Sequence, residues 1–425
     1  MEKKQLKIAV VGAGPCGLCC AKHSLDYGHD VTVYEQTSEV GGTWFYTDKS
    51  GNDEFGIPIH TSMYQGLLTN APIDLMSFLG HPFPRKGRSF VSHEEVLAFL
   101  HGYVEVFGLK SVIKFRNQVV NVRPLRGDRW EVLSNDLRND ILIRKQFDAI
   151  FLCSGHYSEP VIPEFDGLDE FFGDKMHSHD YRKPDRYQHE TVFVIGGGTS
   201  GRDITLQIAT KAKRVIWSNH SKYYNFTFPS NVKKADDVKR FTANSVQFID
   251  GNEEQITCIL FCTGYKYSFP FLSVDCGLRL NGKIQMEPLY KEVINVNHPT
   301  MAIVGLSVCI LTYLRHDLQA NLCLKYWSGE IELPTKQKML EELRIKKEIE
   351  NKDEIDSRRC SMMIDNLINY LYELSEICRM NVVPKVFHIL CEDLFNLYVQ
   401  YPTSFREFNY TILDDETFER KHISE

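Results

Sequence analysis

"VVGAGPCGLCC", residues Val10 to Cys20, admits two readings. Its glycines, in Gly12-Ala13-Gly14-Pro15-Cys16-Gly17, form a G-x-G-x-x-G turn of the kind that lays backbone N–H groups against a phosphate. Its cysteines, Cys16, Cys19 and Cys20, contain a C-x-x-C, the spacing of dithiol and metal sites. The flanks decide between the two. "KIAVV" (Lys7–Val11) is a short β-branched run, which predicts a buried parallel strand. "LCCAKHSLDYG" has helical spacing and stops at Gly28, a helix-ending glycine. "DVTVYE" (Asp30–Glu35) predicts a second strand, ending in an acid 18 residues past Gly17. Strand, glycine turn, helix, strand and acid in that order make a dinucleotide-binding fold. Gly12 permits the tight turn, Gly14 lets the backbone approach a pyrophosphate, and Gly17 lets the helix pack on the strand. Ala13, Pro15 and Cys16 complete the cradle, and Glu35 is placed to accept from ribose hydroxyls. The cysteines are then small side chains that packing requires.

The pattern recurs. "TVFVIGGGTSG" (Thr191–Gly201) puts Gly196, Gly198 and Gly201 in the three glycine roles. "RDITLQIATKA" predicts the helix and "KRVIWSNHS" the next strand. Ser200, Arg202 and Asp203 open that helix and are candidates to hold the pyrophosphate or shape its turn, Asp203 alternatively as a helix cap. This second strand ends in "SNHSK" (Ser218–Lys222), not in an acid. A carboxylate repels a 2′-phosphate, so the first site suits FAD or NAD. Hydroxyl, amide, imidazole and ammonium groups accept one, so the second suits NADP, with Ser218 and His220 as candidate contacts. The alternative is a solvated loop, and no arginine stands there to make NADPH obligatory. Two nucleotide sites in one chain imply electron transfer between two cofactors, most simply hydride from a nicotinamide to a flavin.

The bulk numbers agree with an ordinary soluble globular protein of two domains, or three. The chain has 425 residues, 43% apolar and 25% charged, more than one hydrophobic core serves. A net charge of −7 argues against nucleic acid as a partner. The twelve cysteines are scattered, not framed, and Cys153, Cys258, Cys262, Cys309 and Cys323 sit inside apolar runs, which predicts a reducing, cytoplasmic setting. Lys3 and Lys4 before an apolar stretch resemble a leader peptide, but the strand and glycine turn account for the same residues. The longest apolar run, "TMAIVGLSVCILTYL" (Thr300–Leu314), is too short to span a bilayer and reads as a strand leading into a helix. The charged run "TKQKMLEELRIKKEIENKDEIDSRR" reads as a solvated surface helix.

Beyond the glycine turns, the chain resembles the flavin-containing monooxygenases along most of its length. "EVGGTWFY" carries Gly41, Gly42, Thr43 and Trp44, matching the family's G-G-x-W segment beside the flavin. "YQGLLTN" (Tyr64–Asn70) resembles the segment that ends in an active-site asparagine. "FDAIFLCSGHYSEPVIPEFDG" and "ITCILFCTGYKYSFPFL" resemble its two strand-ending A-T-G-type motifs, here Cys153-Ser154-Gly155 and Cys262-Thr263-Gly264. "FFGDKMHSHDYR" matches the F-x-G-x-x-x-H-x-x-x-[WY] fingerprint through Phe171, Gly173, His177 and Tyr181. "HPTMAIVGL" and "DLQA" resemble the segment that returns to the flavin domain. Tyr181-Arg182, in place of Trp and Pro or Asp, favours the N- and S-oxygenating branch over Baeyer–Villiger enzymes. The polar end "FERKHISE" resembles the shorter insect or fungal members, among which are alkaloid N-oxidising enzymes.

The resemblance implies an α/β fold of two Rossmann-like dinucleotide-binding domains, with the NADPH domain (169–280) inserted into a discontinuous FAD domain (1–168 and 281–425). It implies FAD and NADPH as cofactors, no metal, and O2 with a small amine or thioether as co-substrates, oxygenated through a C4a-hydroperoxyflavin. Asn70 is the catalytic candidate, its amide donating to the oxygen or the nicotinamide; read from local sequence alone, it is an asparagine in the turn before Ala71-Pro72. Thr69, Val119, Ser154, Gly155 and Gln319 join Gly42, Thr43 and Trp44 as expected FAD contacts. His177 and Tyr181 either sense the nicotinamide or form a hydrogen-bonded connection. A flavin disulfide reductase would need a cysteine pair soon after the ribose acid, and Gln36 to Leu152 contains none. A Baeyer–Villiger or amine-hydroxylating monooxygenase, and an NADPH oxidase or redox-sensing flavoprotein, stay open. So does the oligomeric state, a homo-oligomer included.

Overall fold

A computed structural model describes residues 4–219, 228–306, 311–352 and 360–424. The chain divides into two compact units. One comprises residues 1–45, 68–155 and 269–425; the other comprises 46–67 and 156–268.

The first unit is built on a seven-stranded sheet. Strand β1 (Lys7–Val11) lies between β2 (Asp30–Glu35) and strand Ala149–Leu152, parallel to both, with Val10 opposite Val33 and Phe151. Strands Ile113–Phe115 and Met301–Ile303 extend the parallel part, and the short strands 289–290 and 294–295 finish it antiparallel. Ile8, Ala9 and Val10 are wholly buried because both sheet faces are covered, the condition that a continuous β-branched run satisfies. Helix α1 (Pro15–Asp26) starts with a proline, whose missing N–H costs nothing in a first turn, and ends at Tyr27 before Gly28 at φ +79°. It buries Leu18, Cys19, Cys20 and Ala21. A three-stranded antiparallel sheet spans Asn117–Leu125, Arg129–Asp136 and Ile141–Phe147. Helix Thr312–Trp327 is buried on nearly every side; truncating Leu318 there to alanine would cost about 2–5 kcal/mol.

The second unit repeats the plan with β3 (Thr191–Ile195), α2 (Thr199–Ala209) and β4 (Arg214–Ser218). The five strands of its main sheet, in the order Val232–Ala235, β4, β3, Cys258–Phe261, Asp174–His177, are all parallel. The mixed α/β class and the paired parallel sheets are as the sequence predicts.

The boundaries differ from the expected 168 and 280, for a physical reason. Residues 46–67 belong to the second unit because the buried Arg182 guanidinium gathers the carbonyls of Thr47, Lys49, Thr61, His179 and Tyr181. Gln65 N–H donates to the Arg182 carbonyl, and His179 Nε2 bonds the Ile59 carbonyl. At the far end, residues 269–280 join the first unit through Val122, whose N–H donates to Phe271 and whose carbonyl accepts from Ser273. The charged run after Thr335 forms helix Lys336–Lys352, with Met339 its buried anchor; residues 353–359 lie outside the described residues.

Candidate functional site

In the first unit the glycine turn is held from three sides. A Cβ on Gly12 would sit 2.5 Å from the Cys153 carbonyl oxygen, and one on Gly17 would sit 1.8 Å from the Gly12 carbonyl oxygen. Only glycine fits either position, as close helix–strand packing demands. Gly41 N–H donates to the Ala13 carbonyl, bringing the short helix Gly42–Trp44, with Thr43, against Gly14 and Pro15. Glu35 Oε2 accepts the Ala13 N–H at 2.8 Å, and Oε1 accepts the N–H and hydroxyl of Thr37. Ser154 and Gly155 (φ +77°) follow strand Ala149–Leu152, whose end touches Gly12. Val119 lies at a bulge in strand Asn117–Leu125, largely buried.

Of the cysteines of the opening stretch, Cys19 and Cys20 are buried and Cys16 is half-buried. Burial pushes Cys16, Cys19 and Cys20 well above the ordinary thiol range, with Cys153 adding to the rise at Cys16. The Cys153 thiol donates to the Cys20 sulfur at 3.8 Å, and no disulfide joins them. Cys19, His23 and Asp317 come together behind the turn, an arrangement that the sequence reading missed. Asp317 Oδ1 accepts from both Cys19 (3.2 Å) and His23 (2.6 Å), and Oδ2 accepts from Leu79 N–H, so the three satisfy one another as a buried hydrogen-bond network.

A second group also escaped the sequence reading. Arg315 is 1% exposed, and among the described residues none of its three guanidinium nitrogens has a hydrogen-bond partner. It lies near enough to Cys16 and Tyr370 for its charge to oppose the upward push that burial gives both. Neighbouring His316 meets Cys16 at 3.1 Å. An enclosed, uncompensated cation beside a phosphate turn is costly unless an anion completes it. An FAD pyrophosphate fits that requirement, together with the acid-free first turn of α1 and the Gly12–Gly17 cradle.

Gln319 is fully buried. Its Oε1 accepts from Gly305 N–H and its Nε2 donates to Tyr370, which in turn donates to the Lys291 carbonyl. Both ends of the amide are thus engaged, one by Gly305 and the other by Tyr370. Thr69 pairs with Val91 through both backbone and hydroxyl. Asn70 beside it is exposed, and its Oδ1 accepts from Arg406 Nη2 at 2.5 Å.

In the second unit Gly196 N–H donates to Ser218, while its carbonyl accepts from Trp217 Nε1. A Cβ on Gly201 would meet the Gly196 carbonyl oxygen at 2.1 Å, whereas one on Gly198 would meet nothing within 4 Å. The turn is therefore closed on its helix side and open at Gly198, the N-cap of α2, where a phosphate would approach. No side chain caps α2, so Asp203 is not its cap. Asp203 instead meets Arg202 at 3.3 Å and Tyr64 at 3.5 Å. Ser200 lies in the first turn, half-buried. The Ser218 hydroxyl donates to the Asp236 carbonyl, leaving it acceptor capacity only. His220 lies outside the described residues.

The fingerprint residues build this unit. Tyr181 donates to Gln207 at 2.9 Å, and His177 Nδ1 accepts from His179 N–H. A Cβ on Gly173 would strike the Thr257 carbonyl oxygen at 2.2 Å.

Known proteins share these features. The family model described as flavin-binding monooxygenase-like matches residues 4–226 and 225–402. A senecionine N-oxygenase of Tyria jacobaeae is 32% identical over 98% of this chain and 92% of its own. The flavin-containing monooxygenase FMO GS-OX3 of Arabidopsis thaliana is 34% identical over 79% of this chain and 76% of its own. The S-allyl-L-cysteine S-oxygenase of Allium sativum superposes with a TM-score of 0.88 at 29% identity, covering 96% of each chain. With both glycine turns, the G-G-x-W segment and the fingerprint in place, the chain belongs to the flavin-binding monooxygenase-like family, and it is a flavoprotein enzyme of the monooxygenase type.

Proposed function

We propose that the chain uses NADPH and O2 to oxygenate soft nucleophilic nitrogen or sulfur in small amines, alkaloids or thioethers. The observation that carries the cofactor assignment is the contrast between the two glycine turns. One turn is closed by the buried carboxylate of Glu35; the strand after the other ends in Ser218, where no carboxylate stands and the hydroxyl proton is given to the Asp236 carbonyl. A carboxylate suits ribose hydroxyls and repels a 2′-phosphate, which assigns FAD to the first unit and NADPH to the second. Glu35 retains lone pairs for a ribose beyond those given to Ala13 and Thr37. The substrate class is supported by the printed activities of the similar proteins, an N-oxygenase and an S-oxygenase.

Bound flavin, once reduced by the nicotinamide, supplies the activation of O2. The chain's tasks are then to orient, to donate and to exclude water. Gly12 through Gly17, with Gly42, Thr43, Trp44, Ser154 and Gly155, hold the flavin. Val119 and Thr69 wall its site, and Gln319 acts on it through Gly305. Gly196, Gly198, Gly201, Ser200 and Arg202 hold the NADPH pyrophosphate. Asn70 would donate a hydrogen bond from its side-chain NH2 to the reacting oxygen. The buried neutral cysteines support a reducing, cytoplasmic setting; among the described residues no helix is long and apolar enough to cross a membrane.

The test counts NADPH consumed, O2 consumed, oxygenated product and hydrogen peroxide, with a tertiary amine and a thioether offered in turn. One product per NADPH supports the reading. Peroxide equal to NADPH whatever is offered overturns it in favour of an oxidase, and ester formation from an offered ketone overturns the substrate class.

A further inference from the structure

Asn70 is held from the far end of the chain. The C-terminal hairpin, strands Phe408–Ile412 and Phe418–His422, docks on residues 85–89 of the same unit. Tyr410 N–H donates to Ser89 Oγ at 2.8 Å and Ser89 Oγ donates to the Tyr410 carbonyl at 3.2 Å. Asn409 bonds both Ser89 N–H and the Gly87 carbonyl. Just before the hairpin, Phe405 is buried edge-on against Phe90 and Tyr398. The Arg406 guanidinium lies 4.6 Å from the Phe405 ring centroid and reaches back to the catalytic candidate. Its Nε donates to the Thr69 carbonyl at 2.9 Å and its Nη2 to Asn70 Oδ1 at 2.5 Å.

This geometry has a chemical consequence. A primary amide is a donor at one end and an acceptor at the other, and the two ends are nearly equal in shape. A guanidinium has five donors and no acceptor. It can therefore engage only the oxygen of Asn70, which turns Nδ2 the other way. We propose that Arg406 is a positioning residue: by holding Asn70 Oδ1 it presents Nδ2 as a donor in the flavin site, so that the C-terminal hairpin governs how much reducing power reaches substrate and how much is lost as peroxide. The inference rests on the reading of Asn70 as the donor to the reacting oxygen. Arg406 itself touches neither oxygen nor substrate; it acts through the amide. A lysine in its place would bring its donors on a single nitrogen, without the planar fork whose Nε and Nη2 reach Thr69 and Asn70 separately. A glutamate would accept from Nδ2 and reverse the amide.

The test uses the FAD-loaded 425-residue chain, four single variants, Arg406→Met, Arg406→Lys, Arg406→Glu and Asn70→Ala, and the double variant Arg406→Met/Asn70→Ala. FAD content, FAD dissociation by fluorescence, thermal midpoint and the product-to-peroxide ratio are measured on each. Arg406→Met is expected to keep its FAD and its rate of reduction by NADPH, while the product-to-peroxide ratio falls about tenfold or more, the scale of losing one oriented donor. Arg406→Lys should recover part of the ratio, and Arg406→Glu should be no better than Arg406→Met. In the double variant Arg406→Met/Asn70→Ala the midpoint shifts should not add, because the two changes share the Arg406–Asn70 bond, each single change already removing it. Full coupling in Arg406→Met, with Asn70→Ala uncoupled, overturns the proposal. So does loss of FAD and coupling together in both the methionine and lysine variants, the mark of a merely structural role. Full coupling in Asn70→Ala removes the reading of Asn70 on which the proposal rests, and additive midpoints would remove the bond itself.

Discussion

The Glu35 carboxylate accepts the Ala13 N–H at 2.8 Å, so the acid that ends the second strand also closes the glycine turn after the first. Its other oxygen is shared by the N–H and hydroxyl of Thr37. A glutamine cannot serve both sides, because its NH2 would face one of two N–H donors. Glu35→Gln is therefore expected to leave a soluble protein that binds FAD about 10–100-fold more weakly, the worth of one or two charge-assisted bonds. FAD fluorescence on dilution measures this. An unchanged dissociation constant would show that the carboxylate serves only the fold.

Two glycines should part ways under the same substitution. Gly17→Ala puts a methyl group 1.8 Å from the Gly12 carbonyl oxygen, backbone against backbone, and neither can yield. That variant should be recovered insoluble or without FAD. Gly198→Ala meets nothing within 4 Å, and Gly198 has φ −71°, which alanine adopts without strain. It should fold with full FAD and a thermal midpoint within about 2 °C of the parent. If NADPH lies over that opening, its KM should rise tenfold or so, since each 1.4 kcal/mol is a factor of about ten. An unaltered KM would place the pyrophosphate elsewhere.

Much of this was legible because the signals are local. Strands Lys7–Val11, Asp30–Glu35 and Thr191–Ile195 have the bounds that their β-branched runs predict, since both are buried-sheet properties. What was not legible depends on residues that meet only after folding. Arg406 and Asn70 are 336 positions apart, and nothing near either announces the other. Arg182 reads in sequence only as a neighbour of the fingerprint tyrosine; that it gathers five carbonyls, and so moves residues 46–67 into the second unit, is a tertiary fact. Gln319 reads as a cofactor contact, yet both its ends bond within the chain. The Cys-x-x-x-His spacing of Cys19 and His23 gains meaning only when Asp317 arrives from another helix.

Arg315 offers a test of the first site that does not depend on turnover. A buried cation that finds no hydrogen-bond partner among the described residues destabilises the chain that holds it, unless a bound anion compensates. Arg315→Met keeps the volume and removes the charge. FAD-free Arg315→Met should melt higher than the FAD-free parent, while FAD raises its midpoint by less than it raises the parent's. The two melting curves, with and without added FAD, decide it. An equal FAD-induced rise in both proteins would show that the guanidinium does not face the flavin's charge.

His177 gives the second unit a predictable response to acid. Burial disfavours its imidazolium, and His179 beside it adds like charge, so its pKa falls from 6.5 to about 4. In the unfolded chain it titrates near the ordinary value. Between these two pH values the unfolded state holds a proton that the folded state refuses, so stability rises with pH across the window. The contribution is complete above pH 6.5 and is lost as pH falls toward 4, reaching on the order of 3 kcal/mol at the acid end. His177→Asn retains an acceptor for the His179 N–H, which His177 Nδ1 now engages at 3.1 Å, but cannot ionise. The variant's thermal midpoint should therefore decline less steeply than the parent's from pH 6.5 to pH 4, and the two should run parallel above pH 7. Parallel curves throughout would assign the acid sensitivity to carboxylates instead. A difference confined to pH above 7 would contradict the direction of the shift.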